Sequence, residues 1–156
     1  MTPRPSHASS LAFLLSQIGA QSARLFAAEL TAVGVTPRAY GVLSNLAEDD
    51  GQTQQQLADA LGIHRNNMVS LIDDLEQAGW VQRHRHSHDR RAFNIRLTDE
   101  GARVVQRVQD LLPALDERIG RGLGAEETRT LMGSLHHIAR ELGLHPGVHP
   151  HLSARG

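Results

Sequence analysis

The chain has 156 residues, a formal net charge of −1 and no cysteine. That length fits one domain with an ordinary hydrophobic core rather than a multidomain enzyme. The missing cysteines exclude a disulfide framework, a thiolate zinc site and sensing by thiol oxidation, and point to a reducing, cytoplasmic setting. The opening MTPRPSHASS is polar, and the apolar run after it is too short and interrupted for a membrane span or secretion signal. No membrane association is expected.

From residue 9 to 32, Leu11, Leu14, Leu15, Ile18, Leu25, Phe26 and Leu30 recur at helical spacing and predict a long amphipathic helix. GVTPR breaks it. Thr36 as N-cap and Pro37 at the first helical position start a second helix through Tyr40, Val42, Leu43 and Leu46, which AEDDG ends. In TQQQLADALG, Thr53 and Gln56 stand at capping-box spacing and Gly62 marks the stop, which predicts about three helical turns. Ile63 and His64 connect it to RNNMVSLIDDLEQAG, where Met68, Leu71, Ile72 and Leu75 form an apolar stripe ending at Gly79. Two helices joined so tightly are a helix-turn-helix.

WVQRHRH and AFNIRLT then alternate as strands, with Phe93, Ile95 and Leu97 on one side and SHDRR as the loop of a hairpin. Thr98 caps a helix with Asp99 and Glu100 in its first turn, running to about Gly122 with a kink expected at Pro113. A last helix starts near Gly124 with Glu126 and Glu127 at its positive end and carries Leu131, Leu135, Ile138 and Leu142. The tail HPGVHPHLSARG has no periodicity and reads as flexible. The fold class is mainly α with a small β wing.

Charge is unevenly placed along this frame. Arg83, Arg85, Arg90, Arg91 and Arg96 are opposed locally by Asp89 alone, whereas residues 47–50 and 72–76 are acidic. A basic strip on a near-neutral chain still makes a phosphate footprint, because the field of the docking face decides. All 16 basic side chains are arginine, a skew read as codon bias rather than function.

A helix-turn-helix followed by a hairpin is a winged helix, and the order of elements resembles the MarR family of bacterial transcriptional regulators. The most specific resemblance is DRRAFNIRLTDEG at 89–101; TPRAYGVLSNL, LADALGI and MVSLIDDLEQAGWVQR add independent matches. The resemblance spans residues 10–143 as a single unit. It implies a helical dimerisation region at 10–33 and 99–143, a winged helix-turn-helix that binds DNA at 36–98, and a tail at 144–156.

The chemistry of those positions suits double-stranded DNA. The second helix of the motif can enter a major groove about 12 Å wide and present Arg65, Asn66, Asn67 and Ser70 to base edges, where Arg matches guanine and Asn matches adenine. The alternative is that Asn66 and Asn67 only cap the helix. Many relatives carry Ser or Thr at those two positions and a basic residue at position 70, so the operator sequence is not carried over. Gln52, Thr53 and Gln54 stand at a helix N-terminus, where outward amides hold phosphate. The resemblance implies that Asp89 pairs with Arg91 to hold the wing loop while Arg90 reaches a minor groove, where negative potential is concentrated. Arg83 and Arg85 are placed for phosphates.

His84, His86 and His88 alternate along one strand face and offer either metal ligation or polar phosphate contacts; the intervening arginines repel a cation and favour the latter, with His86 and His88 in the DNA-contacting set. No metal or cofactor is expected. No enzyme motif is present: there is no Gly-rich phosphate loop, nucleophile setting or HExxH.

Leu111, Leu112, Leu115, Ile119, Leu131, Leu135, Ile138 and Leu142, with Leu11, Leu14, Leu15 and Ile18, are more apolar surface than a small winged helix needs. They read as a homodimer interface, with packing inside one chain as the alternative. Symmetry then requires a pseudo-palindromic operator. The resemblance further implies a repressor that a small molecule releases from DNA, with Phe13, Arg38 and Tyr40 as pocket candidates, against a constitutive regulator. A metal-responsive regulator and a winged-helix protein-protein scaffold are the other readings.

Overall fold

A computed structural model describes residues 7–85 and 93–144. After a short 3-10 turn at His7–Ser9, the elements are α1 (Leu11–Ala32), α2 (Pro37–Glu48), β1 (Gln52–Thr53), α3 (Gln54–Leu61), α4 (Arg65–Gln77), β2 (Val81–Arg85), β3 (Phe93–Leu97), α5 (Asp99–Ile119) and α6 (Ala125–Glu141). It is a mainly helical winged helix with a three-stranded antiparallel wing and flanking helices.

Local chemistry sets the boundaries. The side chain of Thr36 accepts from Ala39 N at 3.1 Å with Pro37 following it, and that of Thr98 accepts from Gly101 N at 3.0 Å. Each such cap contributes about 1 kcal/mol by satisfying an amide the helix leaves open. α3 has eight residues, about two turns rather than the three expected from its sequence, because Thr53 and Gly62 (φ 61°, left-handed) stand outside it as its caps. α5 ends at Ile119, short of Gly122, and runs through Pro113 as one helix.

The sheet departs from a simple hairpin. β2 pairs with β3 from Val81 opposite Leu97 to Arg85 opposite Phe93, and β1 adds to the other edge of β3, Gln52 opposite Ile95 and Thr53 opposite Asn94. The order is β1-β3-β2, so β3 is central and the segment before α3 is bound into the wing. Ile95 faces the core and Leu97 packs partly against it, but Phe93 stays exposed at the distal end.

The core lies under the sheet and among α2 to α5. Val42, Leu43 and Leu46 of α2, Leu57 and Leu61 of α3, Met68 and Ile72 of α4, Val81, Ile95, and Val104 and Val108 of α5 are fully buried. Burying each of the larger ones stabilises by roughly 1.5–3 kcal/mol. The start of α5 is pressed onto β2: Thr98 N donates to Trp80 O at 3.1 Å, and the Thr98 hydroxyl donates to Gly79 O at 2.7 Å. A Cβ on Gly101 would lie 2.1 Å from Trp80 O, so only glycine permits this approach.

Candidate nucleic-acid interface

The α3–α4 unit begins with a complete capping box. Thr53 Oγ1 accepts from Gln56 N at 3.2 Å, and Gln56 Oε1 accepts from Thr53 N at 2.8 Å. After Gly62, Ile63 turns inward and donates its amide to Ala58 O at 2.9 Å, which fixes the angle at which the chain re-enters helix. The N-cap of α4 is then His64, whose Nδ1 accepts from Asn66 N at 3.3 Å. Sequence reasoning missed this cap, since histidine is outside the usual capping set. It also removes the alternative in which Asn66 and Asn67 serve as caps: both lie inside the first turn.

α4 buries Met68, Ile72 and Leu75 and turns the other face outward. Arg65, Asn66, Asn67 and Ser70 are all exposed on it, and among the described residues no side-chain hydrogen bond or ion pair holds Arg65, Asn66 or Asn67. The Ser70 hydroxyl makes only a long 3.5 Å approach to Asn66 O. Val69, which the sequence reading passed over, is exposed on the same helix.

The neighbouring candidates are held more tightly. Gln52 donates through Nε2 to Asn45 Oδ1 at 2.7 Å and to Asp49 O at 2.8 Å, and Thr53 is committed to the capping box. Gln54 Oε1 accepts from Arg83 Nε at 3.3 Å. Arg83 also pairs through its two terminal nitrogens with Asp73 and Glu76, each at 2.5 Å, and its backbone N–H donates to Glu76 Oε1 at 3.0 Å. Expected as an outward phosphate arm, Arg83 instead has a side chain only 18% exposed and joins the wing to both helices of the motif. The backbone and side-chain bonds from Arg83 hold the Glu76 carboxyl below the usual range, against the opposing effect of burial.

Arg85, His84 and Arg96 are exposed on the wing strands, and the Arg96 guanidinium passes beside Gly51, itself at φ 81°. His86, His88, Asp89, Arg90 and Arg91, which carry the wing-tip expectation, lie outside the described residues, as does the tail beyond Leu144. Among the described residues no three His, Asp or Glu side chains cluster as a metal site, and no helix is long and apolar enough to cross a membrane.

Of the ligand-pocket candidates, Arg38 and Tyr40 share the first turn of α2, while Phe13 lies far along α1 from the ring that Tyr40 touches. Tyr40 is half-buried with its ring edge-on to Phe26 (centroids 5.7 Å apart, 71° between planes), and burial, then Glu48, raises its phenol pKa. Phe13 lies on α1 thirteen residues before Phe26, a separation of roughly 20 Å at the helical rise. Arg38 sits in the first turn of α2, two residues before Tyr40, and is partly exposed. The described chain has instead an open groove of about 660 Å³ between α1 and the end of α5, bordered by Gln17, Ile18, Gln21, Arg24, Arg118 and Ile119.

α6 has no buried residue. Leu131, Met132, Leu135 and Leu142 are exposed along it, as are Leu11, Leu14 and Ile18 on α1 and Ile119 at the end of α5. Leu111, Leu112, Leu15 and Ile138 are half-buried. Leu115 was expected at the interface and is already buried within the chain, at 7% exposure.

Comparison with known proteins agrees with this architecture. The family model described as the MarR family matches residues 33–92. A putative transcriptional regulatory protein for the hcr operon of Thauera aromatica is 31% identical over 137 residues, covering 87% of this chain and 82% of that protein. The transcriptional repressor CouR, solved bound to a 23-mer DNA duplex, superposes with a TM-score of 0.73 at 30% identity over 85% of this chain and 94% of that one. Wild-type apo MarR from E. coli shares the fold, with a TM-score of 0.77 at 24% identity over 83% and 96% of the two chains.

Proposed function

The chain belongs to the MarR family, whose members are DNA-binding transcriptional regulators and not enzymes, and from that premise we propose that it is a cytoplasmic homodimeric repressor of a pseudo-palindromic operator. The observation that carries the DNA-reading part is the exposed N-terminal half of α4. His64 takes the capping duty, which releases Asn66, Asn67, Arg65 and Ser70 to face outward together. Arg can donate two bonds to guanine, and Asn can donate to and accept from adenine, so this surface has the chemistry to read bases. That a 30% identical relative is a repressor seen on a DNA duplex supports the same use here.

Phosphate contacts fall to groups around that surface. They are the backbone at the start of α3 and Arg85, and the family resemblance adds the wing tip from His86 to Arg91, with Arg90 for the minor groove and Asp89 to steady Arg91. Arg83 acts differently from its neighbours. By pairing with Asp73 and Glu76 it offsets one of the two negative charges that these carboxylates place on the reading helix, where they would repel a phosphate backbone.

The second copy is supplied by α6. An amphipathic helix of 17 residues with no fully buried residue in its described chain gains its stability by packing elsewhere. Its stripe of leucines, together with Leu11, Leu14, Ile18 and Ile119, fits the same surface on a second chain across a two-fold axis, with residues 10–33 and 99–143 forming the dimerisation region. Small-molecule release would act where α1 meets α2, at Tyr40 and Phe26, between the dimer helices and the reading motif. A ligand there changes DNA affinity only by binding the two arrangements unequally.

Selection of duplexes from a random pool by the full-length protein, at two salt concentrations, tests the main reading. The expected product is a palindromic motif with half-sites one helical turn apart, roughly 34–36 Å, bound less tightly as salt rises. Recovery of no motif overturns it.

A further inference from the structure

Val69 is the feature of α4 that the reading above leaves unused. Its side chain is 40% exposed, and it belongs neither to the buried core nor to the half-buried residues packed against it. It stands one turn after Arg65 and Asn66 and next to Ser70, on a surface otherwise made of polar side chains. Nothing in helix energetics asks for valine there, since its branched Cβ lowers helix propensity relative to Ala, Leu or Gln.

We propose that Val69 is a specificity-determining residue that reads the 5-methyl group of a thymine in the operator. This rests on α4 being the recognition helix. The major groove offers one apolar group, the thymine methyl, and an aliphatic side chain on the reading face is its complement. Valine is suited to the task because a helix holds its χ1 almost entirely in one rotamer, so its methyls are already placed when the helix docks. Four residues along α4 from Arg65 is a rise of roughly 6 Å. The thymine therefore lies within one or two base pairs of the base that Arg65 or Asn66 reads, at about 3.4 Å per pair.

The test uses the full-length protein and the motif recovered by selection, with each thymine replaced in turn by deoxyuridine, which removes only the methyl. Wild-type protein should lose about fourfold in affinity per half-site at one symmetry-related thymine pair, as expected for a buried methyl-sized group. Val69→Ala should bind the thymine operator correspondingly less tightly and should no longer distinguish thymine from uracil at that pair. Uracil sensitivity that is absent in the wild type, or that persists undiminished in Val69→Ala, overturns the proposal while leaving the recognition helix in place. If selection yields no motif at all, the recognition-helix reading fails and takes this inference with it. Because Val69 is exposed and alanine favours helix, unchanged thermal unfolding should accompany the variant.

Discussion

The winged helix and α6 solve the problem of burial in opposite ways. From Val35 to Val108 the chain closes a core on itself: α2, α3, α4, the sheet and the first half of α5 contribute fully buried side chains, and no buried side-chain polar atom lacks a partner among the described residues. α6 is similar in length to α4 and also amphipathic, yet every one of its described side chains is at least partly exposed. The contrast separates a reading head that closes its own core from a helix whose apolar face stays exposed in the described chain. It also says where substitutions should act on fold, on assembly and on DNA affinity separately.

The largest effect should come from charging the unpartnered face. Leu131→Asp together with Leu135→Asp puts two carboxylates into the surface proposed for dimerisation, and burying an unpaired charge there costs several kcal/mol. The protein should run as a monomer in sedimentation, keep most of its helical signal, and bind a palindromic duplex at least 100-fold more weakly, since one half-site contributes alone. A variant that remains dimeric would place the interface elsewhere and remove the explanation for why α6 buries nothing.

Inside the reading head, Gly101→Ala is the sharpest probe of close packing. The added Cβ would meet Trp80 O at 2.1 Å and Leu97 Cδ1 at 2.8 Å, one of them backbone that cannot swing aside. Overpacking of this kind destabilises by about 1–3 kcal/mol, to be read as a lowered urea midpoint. An unchanged midpoint would mean that the junction of β2 and α5 is loose, contrary to the two hydrogen bonds by which Thr98 fastens it.

These two regions also differ in how far their sequence disclosed them. The caps at Thr36, Thr53 and Thr98 were readable because each depends on residues three apart, and the α6 stripe was readable because it repeats every turn. β1 was not, because two residues cannot show alternation and its partner lies some forty positions away. Arg83 was misplaced for the same reason. Its residue type and its basic neighbours suggest phosphate, whereas its partners Asp73, Glu76 and Gln54 come to it only after α3, α4 and β2 have packed. Leu115 and the outward leucines look alike in sequence; only the tertiary packing of α5 divides them.

Arg83 accordingly connects the fold to DNA affinity. Arg83→Gln should lower operator affinity by about tenfold, because Asp73 and Glu76 are then left uncompensated on the reading helix. Adding Asp73→Asn and Glu76→Gln to that variant should restore much of the loss, which removal of a direct phosphate contact would not allow. The salt dependence of binding discriminates further: a lost contact flattens it by about one counterion, whereas lost shielding leaves the number of phosphate contacts unchanged.

The smallest effect is a pH dependence in the same cluster. Hydrogen bonds from the backbone and then the side chain of Arg83 lower the Glu76 pKa below its ordinary value of 4.5, so the folded state prefers the carboxylate more than the unfolded chain does. Stability from this source is fully present above pH 4.5 and is lost as the pH falls through the lower folded-state value. Its size is below about 1 kcal/mol, because the carboxylate is partly open to solvent and screened. Glu76→Gln should therefore unfold at a slightly lower urea concentration than wild type at pH 7, and the two should converge as the pH drops below 4.5. If the gap between them stays constant across that range, what Glu76 supplies is packing and an uncharged hydrogen bond, and Arg83 is held to α4 chiefly through Asp73.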